Sequence, residues 1–208
     1  MGIHLVCIFR VSIRKMFPVR YLALIRHAAV EIEPNIPARE WQLSANGRTL
    51  TRQLAPQLIP YRLNRIVTST EPKAVETGQI LADELGLSWQ TAVNLHEHDR
   101  QGTPYFARHE DFVTAVSRFF TQPDKLVLGQ ETAVQARDRF VTAVTRLLTA
   151  YPQENLAIVA HGTVITLYLC HTNPDIDPMA FWQKLTLPAA FILSLPQKTL
   201  KHSLKTEH

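Results

Sequence analysis

Cysteine is almost absent from this chain of 208 residues, which contains only Cys7 and Cys170. Two cysteines so far apart form neither a disulfide framework nor the ligand spacing of a zinc site. Long hydrophobic runs are also missing, since no stretch approaches the roughly 20 apolar residues that a membrane span requires. We therefore expect a protein of a reducing cytoplasm, with no membrane partner and no bound metal.

Clusters of like charge are a further absence. The net charge is +4 and the isoelectric point is near 9.2, but the basic residues are spread along the chain. Nucleic-acid binding usually requires a basic patch, so we expect no such partner, whereas small anions suit the net charge. With 46% hydrophobic residues, no internal repeat and no low-complexity linker, the chain is typical of one globular domain.

The first 20 residues carry no functional motif. Arg10 interrupts their apolar start, no small-residue cleavage site is present after it, and Met16 stands just before the first predicted strand. They make a poor signal peptide. We expect residues 1–20 to be an N-terminal extension, of which the first 15 are dispensable, and residues 21–208 to form the domain.

Apolar runs of strand length alternate with segments of helical periodicity along the rest of the chain. Strands are predicted at residues 21–25, 64–68, 87–95, 156–160 and 189–195, and helices at residues 44–59, 70–86, 109–121, 131–151, 164–170 and from residue 177. The polar residues 200–208 are expected to be frayed. A strand, a helix and a strand within about 30 residues indicate a parallel sheet. The predicted fold is a three-layer α/β/α sandwich around a mostly parallel sheet.

Cations and imidazoles lie directly after three of the predicted strands. Arg26 and His27 follow the first, Lys73 lies just beyond the second, and His161 follows the strand at residues 156–160. The carboxyl ends of parallel strands meet at one edge, where α/β proteins bind ligands. Gly162 would also open a helix, whose N-terminus favours an anion. The pattern predicts an oxygen-seeking, cationic pocket suited to phosphate.

The same stretches resemble the motifs of the histidine phosphatase superfamily, whose best-known branch is the phosphoglycerate mutases. LIRHAAV is similar to that family's Arg-His-Gly strand end, with Ala28 in the glycine place, and IVAHGTVI is similar to its last motif. Between them, LSANGRTL, VTSTEPKAVETG and LHEHD resemble the intervening motifs in the family's order. The resemblance runs from Tyr21 to about Leu195.

This resemblance implies roles for five residues. His27 would be the nucleophile that forms a phosphohistidine, and Glu97 would be the general acid and then the base. Arg26, Lys73 and His161 would bind the phosphoryl group. The implied function is a phosphomonoesterase, without a cofactor, acting on a small phosphorylated metabolite or on a phosphoprotein.

The chain departs from the family's pattern at two positions. Lys73 takes the place of an arginine, and an ammonium cannot fork onto two oxygens. Glu33 stands where the mutase branch has asparagine, which argues against a phosphomutase. In the loop of Glu97, the neighbours His96, His98 and Asp99 are alternative acids, although both histidines are expected to be solvated. Glu71 is expected only to complement a helix dipole.

Two functions of other classes compete with the phosphatase. A metal hydrolase would use His27, His96, His98 and His161 around a divalent ion, but the chain lacks HExxH or paired-carboxylate spacing and Arg26 would repel a cation. A non-catalytic phosphate-binding module would keep the fold without turnover, and the Lys73 departure favours it. Oligomeric state and substrate identity carry no signal in the sequence.

Overall fold

Six strands form one sheet at the centre of the molecule, in a computed structural model that describes residues 19–103 and 106–206. The strands are β1 (Arg20–Arg26), β2 (Arg65–Thr68), β3 (Ser88–Thr91), β4 (Leu156–Ala160), β5 (Ala189–Leu195) and β6 (Thr199–Lys205). Their spatial order is β3-β2-β4-β1-β5-β6. Three neighbouring pairs, from β3 to β1, are parallel, and the two pairs that involve β5 are antiparallel.

Helices cover both faces of this sheet. They are α1 (Ala45–Leu58), α2 (Pro72–Leu85), α3 (His109–Thr121), α4 (Ala133–Ala150), α5 (Gly162–Thr172) and α6 (Pro178–Gln183). Successive side chains of β1 point to opposite faces, so Leu22 and Leu24 pack in the core with α4 and α5, and Ala23 and Ile25 pack with α1 and α2. The predicted three-layer α/β/α architecture is confirmed.

Local signals in the sequence set most helix ends. The Ser44 hydroxyl accepts a hydrogen bond from the Gly47 N–H and caps α1, as expected of an N-cap serine. Pro72 occupies the first turn of α2, and Gly86, with φ of 66°, ends it. The N-cap residue of α2 is Glu71, whose side chain makes no capping hydrogen bond.

The carboxyl-terminal residues differ from the prediction. Residues 199–205 form β6, which pairs with β5 and is not frayed. A hairpin through Lys198, whose φ is 59°, brings the segment onto the sheet, and the Asn173 side chain accepts a hydrogen bond from Leu200 N. The prediction is wrong because the alternation of apolar Leu200 and Leu204 with polar residues is too short to stand out. The third strand is also shorter than predicted, at Ser88–Thr91.

The predicted N-terminal extension falls almost entirely on residues 1–18, which lie outside the described residues. Its last residue, Arg20, begins β1 and donates hydrogen bonds to the carbonyls of Tyr151 and Glu154. Among the described residues, no helix is long and apolar enough to cross a membrane.

The connection from β1 to α1 is a long loop whose two ends are joined. Val30 and Leu43 form an antiparallel bridge, and Glu31 N donates to Gln42 O at 3.0 Å. A Cβ on Gly47 would lie 2.1 Å from the Ala29 carbonyl oxygen, so only glycine allows α1 to begin against this loop. The loop is therefore a closed excursion from a fixed base.

The parallel register brings three strand ends together. Arg26 pairs with Ala160, and Thr68 pairs with Val159. Immediately beyond these pairs, His27 N donates to Ala160 O at 3.0 Å and Ser69 N donates to Val159 O at 2.8 Å. The residues directly after β1, β2 and β4 thus meet at one edge of the sheet.

Candidate active site

His27 is a buried, neutral imidazole at this edge. Its Nδ1 lies 2.8 Å from the carbonyl oxygen of Ala28. Since a carbonyl only accepts, Nδ1 carries the proton, and Nε2 keeps its lone pair. Burial lowers the pKa of His27 well below its usual value, and the positive charges that His161 and Lys73 can carry lower it further. An uncharged imidazole with a free Nε2 has the form that a nucleophile requires.

Arg26 is oriented by the loop that precedes β5. Its Nη1 donates to the carbonyls of Leu185 at 3.1 Å and Thr186 at 3.3 Å. Burial lowers its pKa to about 10, although Glu97 opposes this shift, so the guanidinium stays charged at neutral pH. Its Nε is buried and has no acceptor among the described residues. The side chain therefore keeps a free donor for a ligand oxygen.

His161 packs beside His27, with ring centroids 5.2 Å apart. Its Nε2 lies 2.9 Å from Ser69 Oγ and 3.3 Å from a carboxylate oxygen of Glu71. Burial lowers the pKa of His161 to about 3 even though Glu97 raises it. Both histidines are thus neutral in the ligand-free site.

Lys73 comes to the site already paired. Its Nζ donates to the Glu71 carboxylate and, at 2.8 Å, to the carbonyl of Ala38 in the β1–α1 loop. Only 7% of the Lys73 side chain and 11% of the Glu71 side chain are exposed. Glu71 also accepts a hydrogen bond from Glu97 N at 2.9 Å. The carboxylate expected only to complement a dipole is in fact a central acceptor of the site.

Glu97 lies at the N-terminus of α5. Its carboxylate accepts hydrogen bonds from the N–H groups of His98, Thr163 and Val164 at 2.8–3.3 Å. Burial alone would raise its pKa, but Arg100, His161 and these N–H donors outweigh burial and lower the pKa to about 2. The ionised carboxylate occupies the place where an anion is most favoured, because helix N-termini present free N–H groups.

The loop that carries Glu97 is held by α4. Arg139 donates to the carbonyls of His96 and Glu97 and pairs with Glu131, whose carboxylate accepts from Asp99 N. Only 15% of the Arg139 side chain and 14% of the Glu131 side chain are exposed. The two residues of the pair are eight positions apart, and nothing in the sequence signals that they meet this loop.

The histidines of this loop differ from the expectation that both are solvated. His98 is 3% exposed, its ring lies 4.1 Å from that of Phe119, and its Nε2 donates to Glu131 O. His98 is therefore a residue that packs against α3. His96 is half-buried, and burial lowers its pKa. Asp99 accepts from Gln101 N in a local turn.

Arg100 is a site residue that the sequence did not reveal. Its Nη2 donates to Thr163 Oγ1 at 2.9 Å and lies 3.9 Å from a Glu97 carboxylate oxygen. Its guanidinium carbon lies 5.0 Å from the centre of the Phe112 ring. It lies in a turn-rich loop without periodicity, so no sequence signal separates it from a solvated arginine.

Close backbone approaches explain the small residues of the motifs. Thr77 Oγ1 accepts from Ala28 N at 3.1 Å and donates to Lys73 O, which ties α2 to the end of β1. A Cβ on Gly162 would lie 3.1 Å from Arg26 Nε. Glycine at residue 162 therefore allows a close approach between the start of α5 and the guanidinium, which a larger side chain would crowd.

A family model described as the histidine phosphatase superfamily, branch 1, matches residues 22–198. The chain belongs to this superfamily. The family predicted from the motifs is confirmed, and the motif residues Arg26, His27, Lys73, Glu97 and His161 meet at one edge of the sheet.

Similar proteins include phosphatases from several organisms. An uncharacterized phosphatase, PhoE, from Bacillus subtilis (strain 168) is 26% identical over 126 residues, which span 59% of this chain and 60% of that protein. A mycobacterial glucosyl-3-phosphoglycerate phosphatase has a TM-score of 0.67 at 19% identity, over 85% of this chain and 90% of its own. A phosphoserine phosphatase from Entamoeba histolytica has a TM-score of 0.70 at 15% identity, over 91% and 98%. At these identities the structural likeness shows the fold alone.

Over residues 19–103 and 106–206, no group of three or more His, Cys, Asp or Glu side chains is arranged to hold an ion. The competing metal-hydrolase hypothesis requires four histidines around one ion. His98 does not fit this arrangement, because it packs against Phe119 and Glu131.

Proposed function

We propose that this protein is a metal-independent phosphomonoesterase that works through a phosphohistidine on His27. The observation that carries the proposal is the tautomer of His27. Its Nδ1 proton is engaged by Ala28 O, its pKa is lowered by burial, and Nε2 is the free ring nitrogen. A neutral imidazole held in one orientation is prepared to attack phosphorus.

In the first step, the His27 Nε2 lone pair forms a bond to phosphorus while the ester P–O bond breaks. The Arg26 guanidinium, with its free Nε donor, stabilises charge on the phosphoryl oxygens. His161, adjacent to His27, lies where a dianion would raise its pKa and draw a proton onto it. The departing oxygen leaves as an alcohol after it receives a proton.

Glu97 is the proposed source of that proton. In the ligand-free site it is ionised, with a pKa of about 2. A phosphate at the N-terminus of α5 would compete for the Thr163 and Val164 N–H groups and add negative charge, and both changes raise the pKa of Glu97. In the second step the carboxylate takes a proton from water, the water oxygen attacks phosphorus, the N–P bond breaks, and inorganic phosphate leaves.

The proposed substrate is a small phosphorylated metabolite, with a phosphoprotein as the second possibility. The named activities of the similar structures, glucosyl-3-phosphoglycerate phosphatase and phosphoserine phosphatase, support the smaller class. The proposed location is the cytoplasm, in agreement with only two cysteines in the chain. No cofactor enters either step.

The decisive experiment is to trap the intermediate. The protein is quenched during turnover of p-nitrophenyl phosphate, and the adduct is mapped by mass spectrometry. We expect an acid-labile, base-stable phosphate on His27, absent from His27→Ala, and activity that survives exhaustive chelation. A label on His161, or activity restored only by zinc or manganese, would contradict the proposal. Binding of phosphate without turnover of any ester in a metabolite panel would establish the non-catalytic module instead.

A further inference from the structure

Lys73, the second phosphate-binding cation that the family resemblance implies, is already paired in the ligand-free site. Its Nζ is engaged by the Glu71 carboxylate and by Ala38 O, and the pair is almost fully buried. The Glu71 carboxylate compensates part of the ammonium charge, so Lys73 presents less charge to a ligand than a cation without a partner would. Freeing Lys73 would leave the buried Glu71 charge unpaired beside Glu97 N and His161, which is strongly unfavourable.

A second cation at the site has a longer and more exposed ion pair than Lys73. Arg100 donates to Thr163 Oγ1 in the first turn of α5 and lies 3.9 Å from the Glu97 carboxylate. Arg26 lies at the same helix start, since a Cβ on Gly162 would stand 3.1 Å from its Nε, and besides burial the charge of Arg100 lowers its pKa. Two arginines and one carboxylate, that of Glu97, thus lie at the start of α5, which leaves an excess of positive charge.

Both guanidinium groups also have unused donors. Arg26 Nε and Arg100 Nε are buried, and each has no acceptor among the described residues. A buried donor without an acceptor is unfavourable, and phosphoryl oxygens would satisfy several donors at once. The face of Arg100 rests on Phe112, which holds the planar fork in place at 5.0 Å.

We propose that Arg100, and not Lys73, is the second phosphate-binding cation of this site. The role of the Glu71–Lys73 pair is then to position the Glu97 backbone and His161. When phosphate binds at the N-terminus of α5, Arg100 transfers its contact from Glu97 to a phosphoryl oxygen. This assignment rests on the proposed function only for the identity of the ligand, because it concerns binding and not turnover.

The test measures binding of inorganic phosphate and orthovanadate by titration calorimetry, which needs no catalysis. We expect Arg100→Ala to weaken phosphate binding about 10- to 100-fold, the usual range for hydrogen bonds to charged groups. Arg100→Lys, which keeps the charge but not the fork, should be intermediate. The double variant Glu71→Gln/Lys73→Met removes a neutral pair and should bind phosphate within about threefold of the unmodified protein, because replacing both members of a buried pair leaves no charge unpaired. Its turnover is expected to fall, since the Glu97 N–H and His161 lose the charged carboxylate that orients them.

Arg146→Ala is the matched control, because Arg146 is an exposed arginine of α4 and its loss changes the net charge equally. Melting temperatures report folding, and Arg100→Gln replaces Arg100→Ala if the latter is unstable. Unchanged phosphate binding in the Arg100 variants would overturn the inference, as would an equal loss in the double variant. A third outcome would also overturn it: the Arg100 variants bind phosphate normally, but their kcat/KM falls for substrates that carry a second anion and for no others. Arg100 would then contact the leaving group and not the phosphoryl group. A protein that binds phosphate through Arg100 yet hydrolyses no ester would refute the proposed function alone.

Discussion

The parallel and antiparallel parts of the sheet differ in the kind of residue that their strand ends supply. Every proposed site side chain comes from the last residue of β1 or from the loops and first helical turns beyond β1, β2, β3 and β4. From the side of β5, the described residues offer Arg26 two backbone carbonyls, those of Leu185 and Thr186. Parallel strands gather successive carboxyl ends at one edge, whereas an antiparallel neighbour begins where they end. The parallel part of the sheet therefore supplies the proposed site side chains, and the antiparallel part supports them.

Burial sharpens the same contrast. All seven residues of β5 are buried, and this strand packs the core on both faces. The neighbouring β6 is mostly exposed and protects the edge of β5. Substitutions in the two parts should therefore change different quantities, turnover at the parallel edge and free energy of unfolding in β5.

The largest expected effect is the loss of turnover in His27→Ala, with a melting temperature close to that of the unmodified protein. The side chain bonds to Ala28 O, a neighbour in sequence, so its removal breaks no hydrogen bond between separate elements of the fold. The matched control is His202→Ala, an exposed histidine of β6. Steady-state assays and thermal denaturation of both variants test the contrast. An active His27→Ala variant, or an inactive His202→Ala variant, would contradict the proposed difference between the two parts of the sheet.

The next effect concerns Glu97→Gln. A general acid contributes about 10²–10⁴-fold, so we expect such a loss with alkyl phosphates and a much smaller one with aryl phosphates, whose phenolate leaves without a proton. The ratio of kcat/KM for the two substrate types is the measurement, and Asp99→Asn is the comparison variant. Equal losses for both substrates would move the acid role to Asp99 or His96.

A substitution in β5 should instead change stability. Leu193 is fully buried and lies four residues along β5 from Ala189, the partner of Arg26. Leu193→Ala should lower the free energy of unfolding by about 2–5 kcal/mol and leave turnover of the folded protein nearly unchanged. Urea denaturation measures the first quantity. Lys201→Ala on exposed β6 should stay within about 0.5 kcal/mol. A large fall in kcat in Leu193→Ala would show that the two parts are coupled.

Stability should also fall as the pH falls, and the parallel edge is the source. His27 and His161 are held neutral by burial, which lowers both pKa values, that of His161 to about 3. In the unfolded chain each histidine takes up a proton near pH ~6.5. Below that pH the unfolded state binds more protons, so each histidine removes about 1.4 kcal/mol per pH unit until its folded pKa is reached.

Glu97 extends this loss to lower pH. Its pKa is about 2 in the folded protein and about 4.3 when unfolded, so its contribution is complete above the unfolded value and is lost toward the folded one. Urea denaturation between about pH 7.5 and 3.5 is the measurement, and we expect a steeper slope below about pH 4.3 that Glu97→Gln removes. A flat profile would mean that the histidines are solvated.

The smallest effect is expected from removal of residues 1–15. All the motifs lie beyond Tyr21, and the contacts of Arg20 with Tyr151 and Glu154 are retained. The melting temperature and turnover of the shortened protein should both match those of the full chain. A large fall in either would add a third region to the comparison.

The sequence predicted the sheet edge because a buried strand is apolar only as far as it lies inside the sheet. The centre of β1 and all of β4 are buried, so their first polar residues mark where the sheet ends. It did not predict that Lys73 is neutralised by a partner. A spacing of two residues does not indicate whether the Glu71 side chain turns inward to contact the Lys73 ammonium. The ammonium also contacts Ala38 O, which belongs to a different loop.

Tertiary contacts explain the other differences. Arg100 contacts α5, and Arg139 contacts the loop that carries Glu97. Neither contact produces a periodic pattern in the sequence. His98 is buried because α3 folds over its loop and brings Phe119 onto the ring. The strand β6 exists because β5 offers an unpaired edge, which overrides the weak local preference of a polar segment.

The bridge between Val30 and Leu43 closes the base of a loop of twelve residues, 31–42. We expect this loop to tolerate replacement of its residues. Both ends are fixed by backbone hydrogen bonds, at Glu31–Gln42 and at Ala29–Ser44, and these bonds do not involve the residues between them. Inward, the Ala38 carbonyl bound to Lys73 is its tether to the site. A library that varies residues 31–42 around that carbonyl would explore substrate range while the nucleophile keeps its support, because loops on a rigid base tolerate exchange.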